Sequence, residues 1–371
     1  MDFIEELEDA IDAEAMGAEA KALGILAEGI ARIKEGLSER EALSRVAGDL
    51  AKVERVMAAA GKDAAKLAAA VESAVNEAND EWAAPFYEAA GAVQTGAASA
   101  VVAEAADEAS KAVRAAFKSS VMGLADEEGK SFVPMARAYR ETIADVAAAM
   151  VRGEDTGERA VRRAVSRLCA GGVRVVFESE RTMELHSAVR MSVGDTFRRA
   201  MQEARTKMGE EFGADGVEVS AHGLCAPDHL PYQGRQFSKK QFDRIQGKLD
   251  RPIAEGYNCR HNVWPILLGV SKPALSEEDV DELARLSTEK VSFDTSAGKR
   301  EMTRYEFTQY QRAMERRIRD ARLKAYVAEK STVGKAEADR RVRDMLRVYR
   351  TVSKQAGIDT RLERTKLYIP R

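Results

Sequence analysis

Aromatic residues make up only 6% of the 371-residue chain, which also holds just 8 prolines and 3 cysteines. So few aromatics beside 32% charged residues argue against an all-β barrel and for long helices whose small side chains pack closely. Three scattered cysteines cannot build the disulfide framework of a secreted domain. No uninterrupted apolar run approaches the roughly 20 residues that span a bilayer. The opening Met1-Asp-Phe-Ile-Glu-Glu6 lacks the positive start of a signal peptide. A soluble protein of a reducing compartment, with no membrane anchor, is the expectation. At roughly 100–200 residues per domain, this length implies two or three units with a sizeable core.

The net charge of −3 conceals a gradient: −13 over residues 1–150, +1 over 151–300 and +9 over 301–371. Such asymmetry fits an assembly partner or nucleic acid, or simply solvated helix faces of unlike sign. The first 150 residues contain 43 alanines, so intrinsic propensity favours helix almost throughout. Leu43, Val46, Leu50, Val53 and Met57 recur at threes and fours as one apolar stripe. Ser38 with Glu41 reads as a capping box opening that helix. Gly61 is expected to close it, and Leu67, Val71 and Val75 to begin another. The pattern breaks near Trp82, Pro85, Phe86 and Tyr87, where a local core beneath a turn, or a partner-facing patch, is expected.

From 131 to 210 the reading is helix, turn, helix, with turns at Gly153–Gly157 and Gly171-Gly172. Gly153-Glu-Asp-Thr-Gly157 lacks the Gly-Lys-Ser/Thr ending of a phosphate loop. The best strand candidates are Val173–Phe177 and Val217–Val219. Residues 211–271, rich in Gly and Pro, form a compact irregular module. Helices then return over 272–371, with start signals at Ser276/Asp279 and Thr303/Glu306. The stripes Phe307, Tyr310, Met314, Ile318, Ala321 and Val342, Met345, Tyr349, Val352 flank Gly334, which predicts a helical hairpin. The chain divides accordingly into an acidic Ala-rich helical region (1–130), a helical core region (131–210), a Cys/His module with short strands (211–271) and a basic helical C-terminal region (272–371). The predicted fold is mainly α, with long Ala-rich helices and a C-terminal helical hairpin flanking a small irregular α+β Cys/His module.

Three of the four histidines and two of the three cysteines fall within forty residues, in Ala221-His222-Gly-Leu-Cys225-Ala-Pro-Asp-His229 and Asn258-Cys259-Arg-His261. Thiolate sulfur and imidazole nitrogen are the donors zinc prefers, and a tetrahedral site needs about four of them. Two short pairs separated by a spacer are a common structural-zinc layout, and a metal can stabilise a module too small for a large core. Five candidates compete: His222, Cys225, His229, Cys259 and His261. The alternative is ordinary side chains, with Asp228 or Asn258 satisfying the imidazoles. His186 reads as a helix-surface histidine and Cys169 as a buried helix residue.

Catalysis has weaker support. Asp228 beside His229, or Asp215 and Glu218 near His222, are the available general bases on a metal-bound water. His261-Asn262 invites comparison with His-Asn-His nucleases, but the rest of that arrangement is missing, and a saturated site leaves no open position. The C-terminal helices are strongly basic. Arg316, Arg319, Arg340, Arg343 and Arg347 are the candidate nucleic-acid contacts, tempered by Glu315, Asp320, Glu337, Asp339 and Asp344 at pairing distance along the helix.

Val217-Glu-Val-Ser-Ala-His222, Ala226-Pro-Asp-His229, Tyr232-Gln-Gly234 and Gly256-Tyr-Asn-Cys-Arg-His261, followed by Pro265 and Gly269-Val-Ser271, resemble the signature of the phage minor capsid protein 2 family. Glu180–Leu185 and Ala188–Met191 upstream, and Tyr305–Arg312 and Glu315–Arg319 downstream, resemble it too, so the likeness runs from about residue 130 onward. It implies a structural, non-enzymatic protein of a tailed bacteriophage head, built in with the portal and similar in placement to the Mu F-like head morphogenesis proteins. Portal protein, major capsid protein and packaged DNA are the implied partners. The implied locations are the virion and, during assembly, the host cytoplasm. The resemblance also implies zinc on His222, His229, Cys259 and His261, with Cys225 as the alternate ligand.

Overall fold

The computed structural model describes residues 2–34, 39–90, 94–126, 129–151, 157–177, 181–254 and 259–367. Alanine, leucine and glutamate, which lose little on entering a helix, build α1 (Asp2–Lys34), α2 (Glu39–Ala90) and α3 (Ala97–Lys118). The 52 residues of α2 extend over roughly 78 Å at 1.5 Å per residue. Its expected break at Gly61 is absent. The helix passes through, and the missing side chain makes room for Phe117 of α3, whose Cβ would stand 3.0 Å from a Cβ at Gly61. Gly61 is thus a packing glycine. Pro85 also lies inside α2 and is exposed, so Trp82 and Tyr87 sit on a helix, where both pack against Phe212. Ser38, Gly153, Glu180, Gly256 and Asn258 lie outside the described residues, as does the side chain of Phe86.

Next come β1 (Val121–Asp126), β2 (Gly129–Val133), α4 (Met135–Val151), α5 (Gly157–Gly171), β3 (Val173–Val176), β4 (Thr182–Glu184) and α6 (Leu185–Glu211). The four strands form one antiparallel sheet in the order β2-β1-β3-β4. Only β3 carries a legible strand pattern; the others, two of them longer than β3, gain their stability from pairing.

The module consists of β5 (Gly216–Val219), β6 (Gln236–Ser238), α7 (Lys239–Gln246) and β7 (Val263–Ile266), with strand order β6-β5-β7. Its core is small: Val219, Phe242, Ile253, Ala254 and Val263. The chain then forms α8 (Glu277–Thr288), β8 (Lys290–Thr295), β9 (Gly298–Thr303), α9 (Arg304–Lys330), α10 (Lys335–Gln355) and a short turn of tighter helix at Leu362–Thr365. Both expected capping boxes form, Ser276 with Asp279 opening α8 and Thr303 with Glu306 opening α9. The α9–α10 hairpin turns at Gly334, whose φ of 76° suits glycine. The β8–β9 hairpin is an addition to the all-helical expectation for this region; its alternating Val291 and Phe293 are both buried.

Helix α1 is central. Ile11, Leu23, Leu26 and Ile30 are fully buried, and the helix packs on α2, α4, α5, α6 and α9. The main core runs from α1 through α6 and takes in Leu323 and Val327 of α9. The acidic N-terminal region therefore packs directly against the basic C-terminal one. No helix among the described residues is long and apolar enough to cross a membrane.

Candidate metal centre

Strand β5 carries the chain into the segment after Val219, and the approach to β7 runs beside it. Ser220 N–H donates to the Asn262 carbonyl at 2.9 Å, and Asn262 N–H to Ser220 Oγ at 2.8 Å. This zipper brings the two Cys/His segments together at one end of the sheet. Leu224, at φ 62°, turns the loop so that Cys225 points inward, where its N–H donates to Ser287 Oγ of α8 at 3.0 Å. Cys225, His229, Cys259 and His261 are buried, and His222 is half-buried.

His261 stands in the middle. Its Nδ1 lies 3.4 Å from Cys259 Sγ and its Nε2 3.5 Å from Cys225 Sγ. Cys259 Sγ is also 3.5 Å from His229 Nδ1. The ligand atoms fall into two groups, each within 4.8 Å: His229 with Cys259 and His261, and His222 with Cys225 and His261. All five candidates are thus brought together, but as two triads that share one imidazole. The resemblance-implied set takes the whole first triad plus His222 from the second, and Cys225 sits as close to His261 as Cys259 does.

Neighbouring groups orient the donors. His229 Nε2–H donates to the Arg251 carbonyl at 2.7 Å, which points Nδ1 at Cys259 Sγ. His222 Nδ1–H donates to the Gly223 carbonyl at 3.0 Å, which leaves the lone pair on Nε2. Burial tends to raise the Cys259 thiol, but the His229 hydrogen bond and the Ala254 N–H prevail and hold it below the usual thiol range. Cys225 is pushed up to about 12, chiefly by burial and then by Cys259 and Asp228. His261 is driven down to about 3 by burial and by the other two imidazoles, so it stays neutral. Three donors at S···N separations of 3.4 and 3.5 Å match the edge of a zinc tetrahedron, about 3.5 Å for bonds of about 2.3 Å to sulfur and 2.0–2.1 Å to nitrogen. The donor chemistry and spacing fit a metal ion.

The candidate general bases are engaged elsewhere. Arg251 holds Asp228 in a two-pronged pair at 2.6 and 3.0 Å, and Asp228 stays 3.8 Å from His229 Nε2. Glu218 accepts from Gln236 and from the Ala274 N–H, and Asp215 from the Leu268 N–H.

Of the candidate nucleic-acid contacts, Arg316, Arg340, Arg343 and Arg347 are exposed, and Arg347 pairs with Asp344 at 2.6 Å. Arg319 instead turns inward, 15% exposed, and meets Asp12 of α1 at 3.3 Å.

The surface placement expected for His186 is overturned. It is buried, with Nδ1 2.8 Å from Asp12 and Nε2 3.0 Å from Glu184. Helical periodicity alone could not see the carboxylate that α1 supplies. Cys169 is half-buried on α5, its thiol pushed up to about 12 by burial.

Two further features carry no sequence signal. Arg205 of α6 is buried 3.7 Å over the Trp264 ring and donates to Asn262 Oδ1 at 2.9 Å and Asn79 Oδ1 at 3.2 Å. Beside the Cys/His group lies a cavity of about 1280 Å³, walled by α1, α6, α9 and the segment 357–366, and lined by His222, His229, Cys259 and His261 on the module side.

Taken together, these features define a mainly helical protein carrying a small Cys/His module with a candidate metal centre. A family model described as phage minor capsid protein 2 matches residues 46–351, and the chain belongs to that family. The match reaches well into the Ala-rich helices, beyond the likeness visible from about residue 130. Membership identifies a structural protein of the phage head. No curated protein and no solved structure matches the chain.

Proposed function

We propose that the protein is a structural minor head protein that docks at the portal or against the inner capsid face during head assembly and contributes to DNA delivery. The observation that carries this reading is the family match over residues 46–351, which takes in the long helices and the Cys/His module alike. Its mechanism is positioning, with no chemical turnover; Asp215, Asp228 and Glu218 are spent on the module's own hydrogen bonds and ion pairs. The protein works in the virion, on the portal or major capsid protein, after assembly in the host cytoplasm.

Zinc is the metal the donors suit best. When bound, it supplies a cross-link between the two loop segments that the five-residue core cannot supply by itself. His229, Cys259 and His261 hold it, and His222 with Cys225 offers a second set through the other nitrogen of His261. A second reading, contact with packaged DNA, draws on the exposed Arg316, Arg340, Arg343 and Arg347; Arg319 is spent on Asp12 instead.

Co-expression with the portal and major capsid proteins tests the docking. Co-purification with either, and a position in the assembled head next to it, is the expected result; a protein absent from purified virions overturns the reading. Metal analysis tests the centre. About one equivalent of zinc is expected; less than about half, with Cys259→Ser leaving stability unchanged, removes the metal from the proposal.

A further inference from the structure

The cavity beside the Cys/His module has an unbalanced wall. Arginine and lysine outnumber aspartate and glutamate by twelve to six among its described lining residues, Asp359 and Glu363 of the C-terminal segment included, and the carboxylates that α1 and α9 contribute are already engaged. Glu8 is held by Arg190 and Arg198, Asp12 by His186 and Arg319, and Glu315 accepts the Tyr349 hydroxyl at 2.6 Å. Arg312 of α9, half-buried in this wall, has no carboxylate within ion-pairing distance among the described residues. The charges that act on it most are those of Arg260 from the approach to β7, Arg361 and Arg364 from the C-terminal turn, and Arg190 from α6, the last already paired with Glu8.

We propose that this cleft binds phosphates of a nucleic-acid backbone, with Arg312 at its centre and Arg260, Arg361 and Arg364 around it. Gathering like charges in a half-buried place is costly, and an anion seated among them relieves both the desolvation and the repulsion. The same strain shows in Arg312 itself, whose guanidinium is brought down to about 10 by burial and then by Arg260, Arg364, Arg361 and Arg190. The cations are guanidinium forks, which grip phosphate oxygens in pairs. They come from three separate chain segments, so they suit a ligand that presents charges in succession. The 1280 Å³ volume exceeds the 300–1,000 Å³ or so of ordinary small-molecule pockets, again favouring a polymer. This inference does not depend on the docking reading, and it concerns arginines other than the exposed α10 stripe.

Fluorescence anisotropy of the full chain with a short labelled oligo(dT), over a series of salt concentrations, tests it. The expected result is salt-sensitive binding that weakens about tenfold or more in Arg312→Gln/Arg364→Gln. The slope of log affinity against log salt should fall by about 1.4 for two lost single-strand phosphate contacts. Lys239→Gln/Lys240→Gln/Arg244→Gln, exposed cations of α7 outside the cleft, should bind as the wild type does. Thermal melting checks the fold; if the first variant does not fold, Arg361→Gln/Arg364→Gln, on the C-terminal turn, takes its place with the same expectation. Several results overturn the proposal: no oligonucleotide binding at low salt, undiminished binding by the cleft variants, an equal loss in the α7 variant, or displacement by poly-glutamate as effective as by unlabelled oligonucleotide at equal charge.

Discussion

Replacing His186 with glutamine removes a buried charge while keeping a side chain that can hydrogen-bond. Burial by itself lowers the pKa of this imidazole, but the hydrogen bonds to Asp12 and Glu184, together with the charges of Asp12 and Glu19, outweigh it and raise the value from 6.5 to about 9. That rise corresponds to about 3 kcal/mol, at 1.36 kcal/mol per unit. The sign follows from proton counting. Below pH 6.5 or so, folded and unfolded chains both carry the proton and the stabilisation is complete. Between about 6.5 and 9 only the folded chain holds it, so stability falls by about 1.4 kcal/mol per pH unit until the contribution is gone. Glu184, held down to about 2 chiefly by the same imidazole, contributes on the acid side: its stabilisation is present above about pH 4.5 and is lost as pH falls toward 2. Urea unfolding followed by helical circular dichroism, for wild type and His186→Gln across pH 5–10, is the assay. The variant should be weaker by about 3 kcal/mol near pH 6, with the gap closing by about pH 9. A gap constant over that range, or none at pH 6, refutes the charged-imidazole account.

Arg205→Ala removes a cation over the Trp264 ring and leaves Asn79 and Asn262 without their buried donor; a loss of about 2–4 kcal/mol is expected. Urea melting should show it, and Arg205→Lys should recover only part, because an ammonium cannot reproduce the stacked planar fork. At Gly61, leucine would thrust into Phe117 of α3 and should cost about 1–3 kcal/mol. Alanine should come out near neutral, its better helix propensity offsetting the tight contact; thermal denaturation of both variants checks the contrast.

Much of the helical architecture was open to reading along the chain. The alanine content of the first 150 residues, the capping pairs at Ser276 and Thr303, and Gly334 between two apolar stripes act within a few residues of themselves, and each does locally what its chemistry favours. Gly61 misled because a glycine that ends a helix and one that admits a neighbouring Phe117 look alike until the second helix is in place. The β8–β9 hairpin went unread: Val291 and Phe293 alternate over too few residues to stand out in a region otherwise helical. Strands β1, β2 and β4 had no comparable pattern.

The same division runs through the functional residues. His222, Cys225, His229, Cys259 and His261 stand out by type and spacing, since thiols and imidazoles are rare enough here for their clustering to carry meaning. Which nitrogen faces which sulfur depends on carbonyls at Gly223 and Arg251 that only the folded loops bring near. Charge is the extreme case. In the sequence His186, Arg205, Arg312 and Arg319 are ordinary helix residues; in the fold His186 and Arg319 meet Asp12 from 174 and 307 positions away, Arg205 loses water beneath two amides and an indole, and Arg312 is ringed by cations. Helix propensity is a property of neighbouring residues, whereas desolvation and Coulomb energy depend on distance through space, so the first is written in the sequence and the second exists only once the helices pack.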